Sequence, residues 1–412
     1  MKKVFLFVLC AMALLTACSD SEQIESAVPN QAAQDASNIR SYDEALQIAK
    51  SSISILESNP KTRSASSREI DLSKNEVVKL DPKTRRATDT NDTLMYVFNF
   101  ADEQGFAVVS ASKNTEGLLA VTEKGTYNPD SLSEIESFNI FMDLAKSYVE
   151  NAEATGGPKR IIVRPLEKDS IGYREGNVVG PYVSVNWGQH LPEGELFVNN
   201  ISGCTNTAIA QIMSYYEYPS QIVLTYLTND PMIQTFNWSQ MKAHSTGHSL
   251  SSCSTSGDHS SISKLMKELG YLNHSITYNT YTYTYNSYVP STMSTLGYQT
   301  GSWSNYNTSN VKAQLDSNHL ILITGKDSSQ DIGHAWVIDG YKTEEEVVYH
   351  YLQYPDDMIW VLSGIEVIGY NYYCHCNFGY YGTYNGYYLS GVFNTNYSNY
   401  TENLSFLPIY HN

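Results

Sequence analysis

The chain has 412 residues, a length that divides into two or three domains. Hydrophobic residues make up 42% and charged residues 17%, which excludes wholesale disorder. The formal net charge of −17 excludes a protein built to grip nucleic-acid backbones, which requires basic surface.

The first 18 residues join two lysines to a short apolar run that ends Leu15-Thr16-Ala17-Cys18. A basic start before a brief apolar segment reads as an export signal, too short to span a bilayer. The Leu-Thr-Ala-Cys ending resembles a bacterial lipoprotein box. That implies a signal over 1–18 and a lipid on Cys18; the alternative is an ordinary signal peptide that happens to contain this cysteine. The "SDSEQ" that follows is similar to acidic surface-export tags, so the expected address is the outer membrane or cell surface, with membrane contact through the lipid alone.

Beyond residue 38, "SYDEALQIAKSSISIL" places Ser41 and Glu44 at capping-box spacing and continues with Ala45, Ile48, Ala49 and Ile53 at helical period. Residues 57–92 read as a loop. Three β-rich runs follow at 94–100, 105–112 and 118–127, separated by turn-forming residues, so they predict an antiparallel meander. The stripe Ile135, Phe138, Phe141, Met142, Ala145, Tyr148, Val149 predicts an amphipathic helix. This is a small α+β domain over 19–152. Residues 153–180, with Gly-Gly-Pro among basic residues, read as an exposed linker. Exposed linkers are where proteases cut, and Arg160, Lys168 and Arg174 are the candidate points; Arg164 precedes a proline.

The remainder, 181–412, begins with a helix carrying Ala208, Ile209, Ile212, Met213 and Tyr216 on its apolar face, with Pro219 just past its end. A second helix carries Ile262, Leu265, Met266 and Leu269 and is expected to stop at Gly270. "YTYTYNSY" alternates as a strand does. From about 319 onward the runs are β-rich, which gives an α+β order.

Four cysteines remain beyond Cys18: Cys204, Cys253, Cys374 and Cys376. Scattered in this way they are no disulfide framework. Cys374 and Cys376 flank His375 on an extended segment, so the histidine points away from them; strand cysteines are the plain reading, and no metal or cofactor is expected.

Cys204 is different. It follows Gly203 at the start of a helix, where unpaired N–H groups and a partial positive charge favour a thiolate. A packing residue or half of a disulfide would fit the same position. A cysteine nucleophile needs a base that also protonates the leaving amine, and His334, opening the apolar run "HAWVIDGY", is the candidate. Gln189, upstream of Cys204, offers an amide for an oxyanion hole, and Asn377, downstream, offers one to orient the imidazole. Asp339 falls on the opposite face of the His334 strand and reads as structural.

The order Gln, Cys, His, Asn is that of papain-like cysteine proteases. "GCTNTAIAQIMSYYEYP", "GHAWVIDGY" and "NFGYYGTYNGYY" resemble the streptopain family of bacterial cysteine proteases (peptidase family C10), and "YVFNFADEQGFAVVSAS" resembles that family's inhibitory prodomain. The resemblance implies an α+β, papain-like fold of a helical part and an antiparallel sheet part over 181–412, preceded by a small α+β prodomain that acts as an intramolecular inhibitor. It implies Cys204 as nucleophile, His334 as base and acid, Gln189 with the Cys204 N–H as oxyanion hole, Asn377 as imidazole orienter and Phe378 as aromatic shield. Phe378 stands where the family usually has tryptophan, and the acidic stretch 342–370 between His334 and Asn377 is longer than the family's. The expected protein is a lipoprotein zymogen of a cysteine endopeptidase, acting on proteins or peptides, opened by an activating protease or by itself. The alternative is a catalytically impaired relative that serves as a surface peptide-binding or adhesion lipoprotein.

Overall fold

The structure, a computed structural model, describes residues 38–57, 68–79, 92–129, 135–157, 170–244, 259–326, 333–353, 360–394 and 404–411. Cys18, Arg160 and Lys168, together with Cys253, lie outside these. Helix α1 (Tyr42–Glu57) starts with the reciprocal bonds of a capping box: Ser41 N–H donates to Glu44 Oε2 at 2.7 Å and Glu44 N–H to Ser41 Oγ at 3.2 Å. Part of the stretch read as a loop forms strand β1 (Glu76–Lys79), which pairs with β2 (Thr93–Asn99). The meander continues through β3 (Phe106–Ser110) and β4 (Leu118–Thr122), both buried at every position. Helix α2 (Glu136–Thr155) follows.

The linker read over 153–180 is corrected by the structure. Residues up to Thr155 finish α2, and Ser170–Val179 form a ten-residue strand, β5. Its partner explains why a polar, glycine-containing segment becomes a strand. The acidic stretch extends one strand far past the sheet, and β5 pairs with that extension while Arg174 meets Glu345 and Lys342 meets Glu175.

The C-terminal region starts with α3 (Cys204–Tyr216), then the hairpin β6 (Gln221–Leu224) and β7 (Met232–Thr235), α4 (Trp238–Lys242) and α5 (His259–Leu272). Helix α5 runs through Gly270, the predicted stop. A Cβ at Gly270 would come within 3.0 Å of the Phe197 ring, so this glycine serves close packing. Short strands β8 (Ile276–Thr277) and β9 (Thr282–Tyr283) pair with each other; of the Tyr–Thr alternation only Thr282 and Tyr283 form a strand. Then come α6 (Val289–Thr295), β10 (Gln299–Thr300), β11 (Ser304–Asn305), α7 (Thr308–Asp316), β12 (Leu320–Lys326), β13 (Gly333–Gln353), β14 (Trp360–Asn377), β15 (Gly386–Leu389) and β16 (Ser405–Tyr410).

The described strands include one continuous sheet, ordered β1-β2-β3-β4-β15-β14-β13-β12-β16-β10. The N-terminal meander therefore extends the C-terminal sheet, joined where β4 pairs with β15 (Tyr387 opposite Val121, Tyr388 opposite Ala120). Side chains seal the same boundary. Phe106, Phe138 and Phe141 pack on Tyr384 and Tyr388 with ring centroids 4.7–4.9 Å apart in edge-on contacts. A second core, built on Ala208, Ile209, Ile212 and Met213 of α3 and on α5, covers the opposite side of the C-terminal strands. Within 342–370 the described residues lengthen β13 and β14, which pair antiparallel, and their register places Asn377 opposite Val337, on the His334 strand.

Candidate active site

Gly203 caps α3 at φ 87°, a left-handed conformation, and a Cβ there would lie 2.8 Å from Thr282 O. Only glycine fits this approach, and it sets Cys204 as the first residue of the helix. The Gly203 carbonyl accepts from Thr207 N–H at 3.1 Å and Thr207 Oγ1 at 3.0 Å, which locks the first turn. The chain carrying Gln189 is tied to this turn because Gln189 O accepts from Ser202 N–H at 2.8 Å and from Ser202 Oγ at 3.2 Å.

Cys204, Gln189 and His334 line one cavity of ≈ 410 Å³, together with Tyr380, Glu136 and Tyr281. Burial alone would push the Cys204 thiol up. The His334 charge beside it, a hydrogen bond with that ring and one from the Ala335 N–H outweigh burial, and the thiol is lowered. Burial alone would lower His334; Cys204 first and then Glu136 raise it. The pair thus favours thiolate and imidazolium, the state a cysteine nucleophile needs.

Glu136 opens α2 in the N-terminal region. Its Oε2 lies 3.4 Å from His334 Nδ1, and its backbone N–H reaches the Tyr380 hydroxyl. Gln189 Nε2 donates to the same hydroxyl at 3.2 Å, and the Tyr380 ring stacks on His334 with centroids 5.6 Å apart at 26°. One residue of the N-terminal region therefore holds the imidazole and the phenol, while the phenol accepts from the Gln189 amide. Sequence reading missed both. No local pattern distinguishes Glu136 from any other acidic residue in a first helical turn. Tyr380 had a signal, as the aromatic two positions beyond Phe378 in the same glycine-rich block.

Two roles read from sequence are corrected here. Asn377 sits near the His334 strand, yet its Nδ2 donates to Val185 O at 3.1 Å and its Oδ1 accepts from Gly379 N–H at 3.1 Å. It fixes the turn leading to Tyr380, and the buried His334 Nε2 has no hydrogen-bond partner among the described residues. Phe378 packs into the core against Tyr388 and Trp336, at 5.2 and 5.9 Å; the ring against His334 is Tyr380. The structural reading of Asp339 agrees with its bonds. It accepts from Val183 N–H at 2.7 Å and lies 2.6 Å from His375 Nδ1. Cys374 and Cys376 are buried, with no disulfide, and His375 turns away to Asp339 and to Glu123 at 3.1 Å. Arg174, a cleavage candidate, lies within paired β5 with its Nε donating to Glu345 at 2.7 Å.

A cysteine on the first turn of a central helix, faced by a histidine on an antiparallel sheet and preceded by a region that joins that sheet, defines a papain-like cysteine peptidase fold with a prodomain. Residues 182–388 match the model of the Peptidase C10 family, and residues 36–149 match that of the Spi protease inhibitor. The chain belongs to the Peptidase C10 family. It is 28% identical over 167 residues to streptopain of Streptococcus pyogenes, a match covering 37% of this chain and 39% of that one. Among solved structures, a fragment of prointerpain A from Prevotella intermedia shares the fold, with TM-score 0.52, 21% identity, and coverage of 81% of this chain and 98% of that chain.

Proposed function

We propose that the protein is a cysteine endopeptidase made as a zymogen. The Cys204 thiolate attacks a peptide carbonyl, and Gln189 Nε2 with the Cys204 N–H stabilises the oxyanion. His334 gives its proton to the leaving amine as the C–N bond breaks. It then takes a proton from the water that hydrolyses the thioester, and the free thiolate–imidazolium pair returns. The observation that carries this reading is the lowered Cys204 thiol beside His334 in the cavity that Gln189 also lines.

The bound N-terminal region keeps this machinery idle. Glu136 holds the base and Tyr380 fills the oxyanion donor. Activation requires a cut between α2 and β5, where Arg160 and Lys168 lie, followed by loss of the prodomain; β5 stays with the catalytic part because it is paired to β13. Export as a lipoprotein anchored at Cys18, with proteins outside the cell as substrates, completes the proposal. Hydrolysis of casein by the full chain, with and without prior trypsin, tests it. Wild type gains activity after trypsin and Cys204→Ala does not; equal activity in both would sink the assignment.

A further inference from the structure

Glu193 is completely buried in the turn that follows Gln189, and none of the chemistry at Cys204 uses it. Neither of its carboxylate oxygens closes a hydrogen bond among the described residues. A charge so placed is costly unless it is paired or gives way to the neutral acid. The basic group facing it is His244, itself buried, with Nε2 3.9 Å away. Helix α5 packs beside the turn, where Ser263 Oγ donates to Pro192 O at 3.0 Å. The charges of α5 nearest the turn are engaged elsewhere: Lys267 lies over the Phe197 ring, and Glu268 is held by Thr225. On Glu193's own segment, His190 lines the cleft and Glu195 is half-buried. Burial dominates and raises Glu193 to about 7; the N–H groups of Glu193 and Gly188 and the nearby Tyr381 hydroxyl offset only part of it.

Tyr381 brackets Gln189. Its ring lies against Gly188, where an added Cβ would come within 2.2 Å of Tyr381 Cζ, and its hydroxyl donates to Leu191 O at 3.0 Å. The same turn is closed by Gly194 N–H, which donates to His190 O at 2.8 Å, and anchored by Ser202 N–H, which donates to Gln189 O at 2.8 Å. The oxyanion amide therefore stands on a turn whose two sides are fixed by one tyrosine.

We propose that Glu193 is a positioning residue for Gln189, clamping the turn through Tyr381 while it carries its proton and loosening it when the proton leaves. A tyrosine hydroxyl has a single proton to give. The neutral carboxyl donates to the Tyr381 oxygen, and the Tyr381 proton stays on Leu191 O. The ionised carboxylate can only accept, so it draws the Tyr381 proton from Leu191 O and the turn loses a bond, while the Glu193 proton passes to solvent. The folded value lies above the ordinary 4.5, so this contribution is complete below about pH 4.5 and is lost as pH rises through about 7.

This deepens the peptidase reading, which gives Gln189 its role. The test follows hydrogen exchange at the Gly194 and Ser202 amides of the full-length Cys204→Ala chain between about pH 5.5 and 8.5, as protection relative to intrinsic exchange at each pH. Protection falls about tenfold across that range. Glu193→Gln, whose amide donates to Tyr381 at every pH, stays protected throughout; Tyr381→Phe is loose at every pH. In the trypsin-activated enzyme, kcat falls over the same range with KM little changed, and Glu193→Gln flattens the fall. Level protection in the parent chain, a fall that persists in Glu193→Gln or Tyr381→Phe, or kcat that stays level while protection falls overturns the inference. The parent profile and Tyr381→Phe decide it even where Glu193→Gln fails to fold. A chain that hydrolyses no peptide sinks the peptidase reading alone, because exchange is read without turnover.

Discussion

Cutting the chain between α2 and β5 is expected to leave both halves bound, because they share a sheet and a core. Phe141→Ala tests how firmly. Phe141 is fully buried on α2, with its ring 4.7 Å from Tyr388 and 5.9 Å from Phe393, both from the C-terminal half. Removing such a ring costs about 3–5 kcal/mol in total, divided between the prodomain's own fold and its hold on the partner half. The two ring contacts across the boundary set the second share, ~0.5–1.5 kcal/mol each. Together they predict a complex weakened roughly 5- to 150-fold. The β4–β15 pairing survives the substitution, so binding falls without vanishing. The assay places a site for a sequence-specific protease within 158–169 of the Cys204→Ala chain, cuts to completion and follows dissociation on dilution by size-exclusion chromatography. Wild-type halves co-elute at micromolar concentration, and Phe141→Ala halves separate faster. Leu56→Ala, buried on α1 against the meander, destabilises the same half without touching the boundary and leaves dissociation near wild type. Wild-type halves that fall apart once cut, or Phe141→Ala halves that part no faster than Leu56→Ala halves, would refute the reasoning.

Gln189→Ala is expected to lower kcat of the activated enzyme by about 10²–10³ with KM little changed, since the amide acts where charge develops; an unaltered kcat would remove it from the oxyanion hole. Limited trypsin digestion is expected to cut at Arg160 or Lys168 before Arg174, whose backbone is paired in β5, and mass spectrometry of the first fragments would expose an early cut after Arg174 as a contradiction. His375 gives a pH dependence. Burial alone would lower it, but Asp339 and then Glu123 raise it to about 10, against about 6.5 in the unfolded chain. Its folded value is the higher one, so its contribution is complete below about pH 6.5 and is lost as pH rises toward 10. Thermal melts over that range should fall more steeply for wild type than for His375→Gln; parallel curves would show that the Glu123–His375–Asp339 cluster contributes nothing.

Much of the site's frame was legible in the sequence for local reasons. The apolar stripe of α3 and the glycine before Cys204 fix a helix start, and helix starts activate thiols by the geometry of their own backbone. The capping box at Ser41 and Glu44 and the buried runs of β2 to β4 are equally local. What escaped depends on pairing between distant segments. Nothing in the polar residues of β5 favours a strand; the acidic extension of β13 supplies its partner and its charges. The union of β4 with β15 leaves no trace in periodicity, since either strand would read the same beside another neighbour. Asn377 was placed correctly in chain order and in space, but its amide serves Val185 and Gly379, and order alone does not reveal hydrogen-bond partners. Glu136 escaped for the same reason, being ordinary in its helix and decisive only where that helix meets His334.

The most direct measurement is the intact mass of the catalytic part, cut in the linker and separated from its prodomain, after reaction with a peptidyl epoxide, with peptide mapping of the adduct. A single adduct on Cys204, formed at a rate that collapses in His334→Ala and absent from Cys204→Ala, is the predicted result. An adduct on Cys374 or Cys376, or peptide hydrolysis that continues with Cys204 unmodified, would contradict the account.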